Sequence, residues 1–185
     1  MVNGLRPAVF LDRDGVLTVP EFRDGRSFAP RRLDDFKIYD GAALCLRRLK
    51  DAGFLLVVVT NQPDVGNGLV EQTVVEEMHR RLADTLPVDA IEVCYHSRAH
   101  ACPCRKPKPG MLLRAGERFG IDWTRSFMVG DRGSDVMAGK SVGCRTIFID
   151  LGYRDEDPCS PDHVAASLRE ATDIILTELR LDSTI

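Results

Sequence analysis

"FLLVVVT", residues 54–60, is apolar at every position until its closing threonine. A strand with one wet face would alternate polar and apolar residues. A short run that is β-rich and apolar throughout suits the middle of a parallel sheet covered on both faces. It is the longest apolar stretch of the chain and too short to span a bilayer. Upstream, Gly41–Ala52 has helical spacing, with Leu44, Leu46 and Leu49 apolar, Arg47, Arg48 and Lys50 polar, and Gly53 as the stop. Before it, Ala8–Leu11 reads as a short apolar strand. Downstream, Glu71–Leu86 reads as a helix stopped by Pro87, "AIEVCYH" (90–96) as a strand, and Pro109–Phe119 as a helix with proline at its start. "SFMVGD" (126–131) reads as a strand, Ser134–Val142 as a helix and "RTIFID" (145–150) as a strand. Helical stretches around His163–Leu168 and Glu170–Leu179 follow. Strand–helix alternation of this kind predicts an α/β fold: a doubly wound, Rossmann-like parallel sheet with helices on both faces. The stretch Val16–Tyr39 reads as loop, too short for a separate cap domain.

At 185 residues the chain has room for a substantial core, and 1–185 reads as one domain. Its net charge of −3 offers no basic surface for nucleic acid. The opening "MVNGLRPAVFLD" lacks the apolar core of a secretion signal, so the expected location is the cytoplasm, with no membrane partner and a monomeric state. Six cysteines in that compartment are expected to be thiols or metal ligands rather than disulfides. Cys45 and Cys144 read as buried small residues, whereas Cys94, Cys102 and Cys104 cluster.

In doubly wound sheets, ligands bind beyond the carboxyl ends of the strands. Three polar signals fall there: Asp12 with Asp14, Thr60 with Asn61, and Asp131. Two carboxylates one residue apart are costly unless a cation or a proton sits between them. Each signal has a plainer reading. Asp12 and Asp14 could mark a turn, Thr60 and Asn61 another, and "RKPKPG" (105–110) a solvated basic loop. "CYHSRAHACPC" (94–104) places Cys94-x-His96 before Cys102-x-Cys104, enough for a closed tetrahedral zinc site of three thiolates and an imidazole. Free thiols are the plainer alternative, and His100 is a second candidate ligand. His79 and His163, on expected helices, carry no signal.

Four stretches, "FLDRDGVL" (10–17), "VVVTNQ" (57–62), "CRKPKPGM" (104–111) and "MVGDRGSD" (128–135), occur in that order. Together they resemble the four motifs of the haloacid dehalogenase (HAD) superfamily phosphatases, over about Ala8 to Tyr153. In detail the chain is similar to the small capless heptose bisphosphate phosphatases and to the related histidinol-phosphate phosphatase domain. The resemblance implies that Asp12 attacks phosphorus and that Asp14 protonates the leaving alcohol, then activates water. It implies Mg²⁺ held by the Asp12 side chain, the Asp14 main-chain carbonyl and Asp131, with Asp135 as a supporting or helix-start residue. Thr60 and Lys106 join the catalytic set, and Arg13, Asn61, Gln62, Arg105 and Arg132 are expected to contact substrate. The cysteine loop is similar to the family's zinc loop, which implies structural Zn²⁺ on Cys94, His96, Cys102 and Cys104, with His100 a solvated loop residue.

The implied reaction is Mg²⁺-dependent hydrolysis of a sugar phosphate monoester, most directly a heptose phosphate. Histidinol phosphate is the alternative substrate, and the short zinc loop is closer to that type, whereas "KPKPGM" is closer to the heptose type. A non-catalytic zinc-stabilised binding protein is the alternative of another class, and the intact set Asp12, Asp14, Lys106 and Asp131 argues against it. Pro63, Asp64 and Asn67 stand where heptose bisphosphate phosphatases usually carry a Ser-Gly pair and an arginine. Asn67 cannot supply that arginine's charge, so a weaker dependence on a second phosphate is expected, with Arg132 substituting in part.

Overall fold

The computed structural model describes residues 4–23, 26–153 and 158–182, without the side chains of Arg23 and Asp182. Its strands are β1 (Ala8–Leu11), β2 (Glu21–Arg23), β3 (Arg26–Phe28), β4 (Leu55–Asn61), β5 (Ala90–Cys94), β6 (Phe127–Gly130), β7 (Arg145–Ile149) and β8 (His163–Ala165). Its helices are α1 (Ala42–Asp51), α2 (Pro63–Gly66), α3 (Gln72–Thr85), α4 (Gly110–Phe119), α5 (Gly133–Val142) and α6 (Leu168–Asp182). Six strands form one parallel sheet in the order β5-β4-β1-β6-β7-β8, the expected doubly wound α/β fold. The chain leaves β1 first toward β4 and β5, then returns to β6, β7 and β8. The reversal opens a crevice at the carboxyl end of β1, where such sheets bind ligands.

The strand alternation sorts the core into two layers. Val9, Leu11, Leu56 and Val58 face one cluster with Leu46, Leu49, Met78, Leu82 and Ile175 of α1, α3 and α6. Phe10, Leu55, Val57 and Val59 face the other, with Met111, Leu112 and Ala138 of α4 and α5. That two-sided cover is why residues 54–59 are apolar throughout. Each of these fully buried aliphatic side chains contributes about 1.5–3 kcal/mol relative to exposure.

Two segments differ from expectation. The stretch 163–167 is not helical: His163–Ala165 pairs parallel with Ile147–Ile149 as β8, and the helix starts at Leu168. The free edge of β7 offers a ladder that local propensity does not register. Ser167 also marks the true helix start, its Oγ accepting from the Glu170 N–H at 3.3 Å while Glu170 accepts from the Ala166 N–H at 2.7 Å. Within Val16–Tyr39, β2 and β3 form an antiparallel hairpin and Leu33–Asp35 a short 3₁₀ turn. Among its described residues the insert holds no cap domain.

Candidate active site

Strand β1 delivers two acids to the crevice. Asp12 continues the ladder, its N–H donating to the Val129 carbonyl at 2.9 Å. The chain then turns at Gly15, whose φ of +93° suits glycine. Space demands glycine there too, since a Cβ would stand 2.2 Å from Asp131 Oδ2. Asp12 and Asp14 both line a cleft of about 470 Å³, with Asn61, Gln62, Arg105, Lys106 and Arg132.

Lys106 is the cleft's buried cation, 3% exposed. Its Nζ lies 2.8 Å from Asp12 Oδ1 and 2.6 Å from Asp135 Oδ1, and donates to the Val59 carbonyl. Burial opposes its charge, but Asp12 and Asp135 outweigh burial and hold the ammonium above its ordinary range. Asn61 fixes the lysine's backbone reciprocally: its amide donates to the Lys106 carbonyl and accepts from the Lys106 N–H, both at 3.2 Å. Asp135 also closes the first turn of α5 by accepting from the Arg132 N–H at 3.1 Å. Gly130 makes room for it, because a Cβ there would meet the Asp135 side chain at 2.2 Å. Burial, only partly offset by Lys106, raises the Asp135 carboxyl to about 6.

Asp131 is fully buried, and among the described residues neither of its oxygens receives a well-formed hydrogen bond, although the Tyr153 hydroxyl stands close. Burial, then the charges of Asp12 and Asp135, push its carboxyl well above the ordinary carboxylate range. Asp12, Asp131 and Asp135 bring carboxylate oxygens within 4.8 Å of one another, against one ammonium. A hard divalent cation is what this set lacks, and an all-oxygen donor set of this kind suits Mg²⁺.

Asp14 is heavily bonded. Arg13 Nη2 reaches its Oδ2 at 2.9 Å and Arg13 Nε lies 3.2 and 3.1 Å from its two oxygens. Gln62 Nε2 donates to Oδ2 at 2.8 Å and Thr18 Oγ1 to Oδ1 at 3.1 Å. Gln62 also bonds the Thr60 hydroxyl at 2.9 Å, so Thr60, 1% exposed, lies just beneath the cleft wall.

Arg13 departs from expectation. Its side chain is 0% exposed and does not line the cleft. Past the end of β1 the chain bends at Arg13 and its side chain goes into the body of the protein, so its guanidinium is not placed to contact substrate. There it lies over the Phe36 ring, 5.5 Å from the centroid, with Nη1 3.0 Å from His79 Nε2. Burial, then Arg13, depresses the His79 imidazole to about 3. Sequence reasoning missed His79. The usable signal was its place beside Met78 on the buried face of α3, with Val75 and Leu82.

Arg132 donates through Nη2 to the Ser27 carbonyl at 2.9 Å and its Oγ at 2.7 Å, tying the cleft wall to the hairpin. Arg105 is anchored by the carbonyls of His96 and Ser97. Helix α2 sets Asp64 and Asn67 on the far wall, and Arg31 pairs with Asp64 at 2.7 Å.

Beside the cleft, Cys94, His96, Cys102 and Cys104 converge. Cys94 Sγ lies 3.6 Å from Cys102 Sγ and 3.2 Å from Cys104 Sγ. His96 Nδ1 lies 3.5 Å from Cys94 Sγ and 3.2 Å from Cys104 Sγ. Tetrahedral Zn²⁺ at ordinary bond lengths needs ligand separations of roughly 3.5–3.8 Å, so the cluster fits it with slight expansion. Burial pushes the Cys94 thiol up to about 12, and only a bound cation would make such a thiolate favourable. His100 lies outside the cluster, its ring 5.4 Å from that of His96.

A family model described as HAD-hydrolase-like matches residues 103–171. The D-glycero-β-D-manno-heptose-1,7-bisphosphate 7-phosphatase of Pasteurella multocida is 37% identical over 160 residues, covering 80% of this chain and 84% of that protein. The protein of the same name from Escherichia coli K12 is 36% identical over 168 residues, covering 84% and 83%. Among solved structures, the D,D-heptose 1,7-bisphosphate phosphatase from B. bronchiseptica, complexed with magnesium and phosphate, matches with a TM-score of 0.75 at 27% identity, covering 93% of this chain and 99% of that one.

Proposed function

We infer the reaction from one premise: the chain belongs to the haloacid dehalogenase-like phosphatases, in the family of the D-glycero-β-D-manno-heptose-1,7-bisphosphate 7-phosphatases. It is a phosphoric monoester hydrolase. The reading that fits best is hydrolysis of the 7-phosphate of that heptose bisphosphate through an aspartyl-phosphate. The observation that carries it is the buried Asp12–Lys106–Asp135 cluster, set beside Asp14 and an unsatisfied Asp131.

In the first step an Asp12 carboxylate oxygen bonds to phosphorus while the bond from phosphorus to the sugar oxygen breaks. The departing oxygen takes a proton from Asp14. In the second, water bonds to phosphorus, the aspartyl–phosphorus bond breaks, and the water's proton passes to Asp14. Lys106 holds Asp12 in line and adds positive charge for the phosphoryl oxygens. The two oxygens of Asp14 are not equivalent. Oδ2 accepts from Gln62 and Arg13 at 2.8–3.1 Å, whereas Oδ1 has longer contacts, 3.1 and 3.2 Å. Thr18 Oγ1 can instead donate to the Arg13 carbonyl at 3.2 Å, which frees it to accept from a protonated Oδ1. Oδ1 is therefore the oxygen that carries the proton.

The side chains of Asp12 and Asp131, with the Asp14 main-chain carbonyl, would hold Mg²⁺, which would neutralise charge on the phosphoryl group. Cys94, His96, Cys102 and Cys104 would hold Zn²⁺ in a structural role, bracing the loop that leads into Arg105 and Lys106. These reduced thiols suit a cytoplasmic setting.

Histidinol phosphate is a second reading. Asp64 lines the cleft, and although Arg31 already pairs with its Oδ2 at 2.7 Å, its other oxygen could accept from that substrate's ammonium. The test is kcat/KM, with and without Mg²⁺, for heptose 1,7-bisphosphate, heptose 7-phosphate and histidinol phosphate. Mg²⁺-dependent preference for the heptose esters is expected, with a modest advantage for the bisphosphate. Histidinol phosphate as the best substrate would transfer the assignment to the second reading.

A further inference from the structure

His79 lies on the far side of Arg13 from the cleft, yet it is bonded into the same network as Asp14. An arginine side chain stays protonated in proteins, so its Nη1–H must donate across the 3.0 Å contact and His79 Nε2 must accept. That fixes the imidazole as neutral, with its proton on Nδ1. On the opposite edge of the same guanidinium, Nε donates to both Asp14 oxygens and Nη2 lies 2.9 Å from Oδ2 as an ion pair without a well-formed hydrogen bond. The plane of the Arg13 fork is thus set at one end by His79 and read out at the other as the orientation of a carboxylate. The Arg13–His79 contact is buried: Arg13 is 0% exposed and His79 8%, while Asp14 opens on the cleft. Water cannot readily replace the acceptor at Nη1.

We propose that His79 is a positioning residue for phosphoryl transfer: through Arg13 it holds the Asp14 carboxylate at the angle from which Oδ1 protonates the leaving alcohol. This rests on the reading of Asp14 as the acid. Removing the acceptor leaves a buried guanidinium N–H without a partner, and the fork turns or shifts to satisfy it. Because Arg13 Nε donates to both Asp14 oxygens and Nη2 completes the ion pair, that movement swings the carboxylate. The nucleophile is affected less, since Asp12 is held separately by Lys106.

The test compares wild type, His79→Leu, His79→Gln and Asp14→Asn with Mg²⁺ present, using two esters. One is the best sugar phosphate of the panel above, whose alkoxide must be protonated to leave. The other is p-nitrophenyl phosphate, whose phenolate leaves without a proton. The measure is kcat/KM, which stops at phospho-enzyme formation and so excludes the later hydrolysis. His79→Leu is expected to lose about tenfold on the sugar ester, part of the ~10²–10⁴-fold that proton transfer supplies, and to stay within about twofold on the aryl ester. His79→Gln, whose amide oxygen can accept from Arg13, should recover most of the sugar activity. Equal losses on both esters, or none, in folded His79→Leu overturn the proposal. If His79→Leu does not fold, Arg13→Lys is the second test, because lysine keeps the charge but cannot bridge Asp14 to His79. It must show the same sugar-selective loss, and an even loss overturns the proposal. Asp14→Asn keeps the two readings apart. A selective loss there with none in His79→Leu refutes positioning alone, whereas an even loss there refutes the acid role and the proposal with it.

Discussion

Lys106 Nζ stands 2.8 Å from Asp12 Oδ1 across 94 positions of sequence, and on its other side Asp135 Oδ1 is 2.6 Å away. One ammonium thus holds the nucleophile to the first turn of α5. Lys106→Met would leave two buried acids without their cation, and breaking a buried pair in this way costs about 3–5 kcal/mol. The variant should lose nearly all turnover and melt at lower temperature, with Mg²⁺ recovering part of the melting loss but not the activity. Thermal melts with and without Mg²⁺, beside turnover assays, check this.

Asp12→Asn should abolish turnover and spare the fold. Lys106 keeps Asp135 as its partner, so the substitution orphans no charge and relieves repulsion on Asp131. Intact-mass analysis after incubation with substrate should find no phospho-enzyme. Near-normal turnover, with deamidation excluded by the same mass measurement, would refute the covalent mechanism. Asp14→Asn should be slower than wild type by ~10²–10⁴-fold on sugar esters.

Elemental analysis of protein purified without added metal should find about one zinc per chain. Cys102→Ser should lose it and weaken phosphate binding, because Cys104 runs directly into Arg105 and Lys106. His100→Ala should retain it. Loss of zinc from His100→Ala with retention in His96→Ala would reassign the ligand.

His79 predicts an acid limb of stability. Its folded-state value of about 3 lies below the ordinary 6.5, so the unfolded chain binds the proton first. Stability from this group is fully present above pH 6.5 and is lost as pH falls from there toward about 3. Urea melts of wild type and His79→Gln across that range should differ in slope, the variant falling less steeply. Parallel curves would show that the imidazole is protonated in the fold.

The two-sided apolar run at 54–59 and the polar strand ends made the sheet and its crevice legible, because both follow from local periodicity. Strand β8 did not, because its pairing depends on the edge of β7, 16 residues away in sequence at the Ile147–His163 pair. The gathering of Cys94, Cys102 and Cys104 was legible from short spacing, but the choice of His96 over His100 came from the family resemblance, and the fold brings His96 to the three cysteines. Arg13 was misread because a basic residue between two acids looks like a phosphate contact until the bend after β1 buries it. His79 was invisible because a histidine on the apolar side of a helix is ordinarily just packed. Only the fold shows that α3 brings it against Arg13, 66 positions earlier.

Among the described residues, the insert between β1 and α1 contributes only a short hairpin and a 3₁₀ turn beside the crevice, and that bears on what limits the cycle. No cap-sized element among the described residues has to swing open for phosphate and sugar to leave, or shut before Asp12 attacks. In a more viscous solvent such as concentrated sucrose, domain movements slow while bond making does not. Turnover at saturating substrate should therefore be nearly indifferent to viscosity, as expected of an enzyme paced by its chemistry.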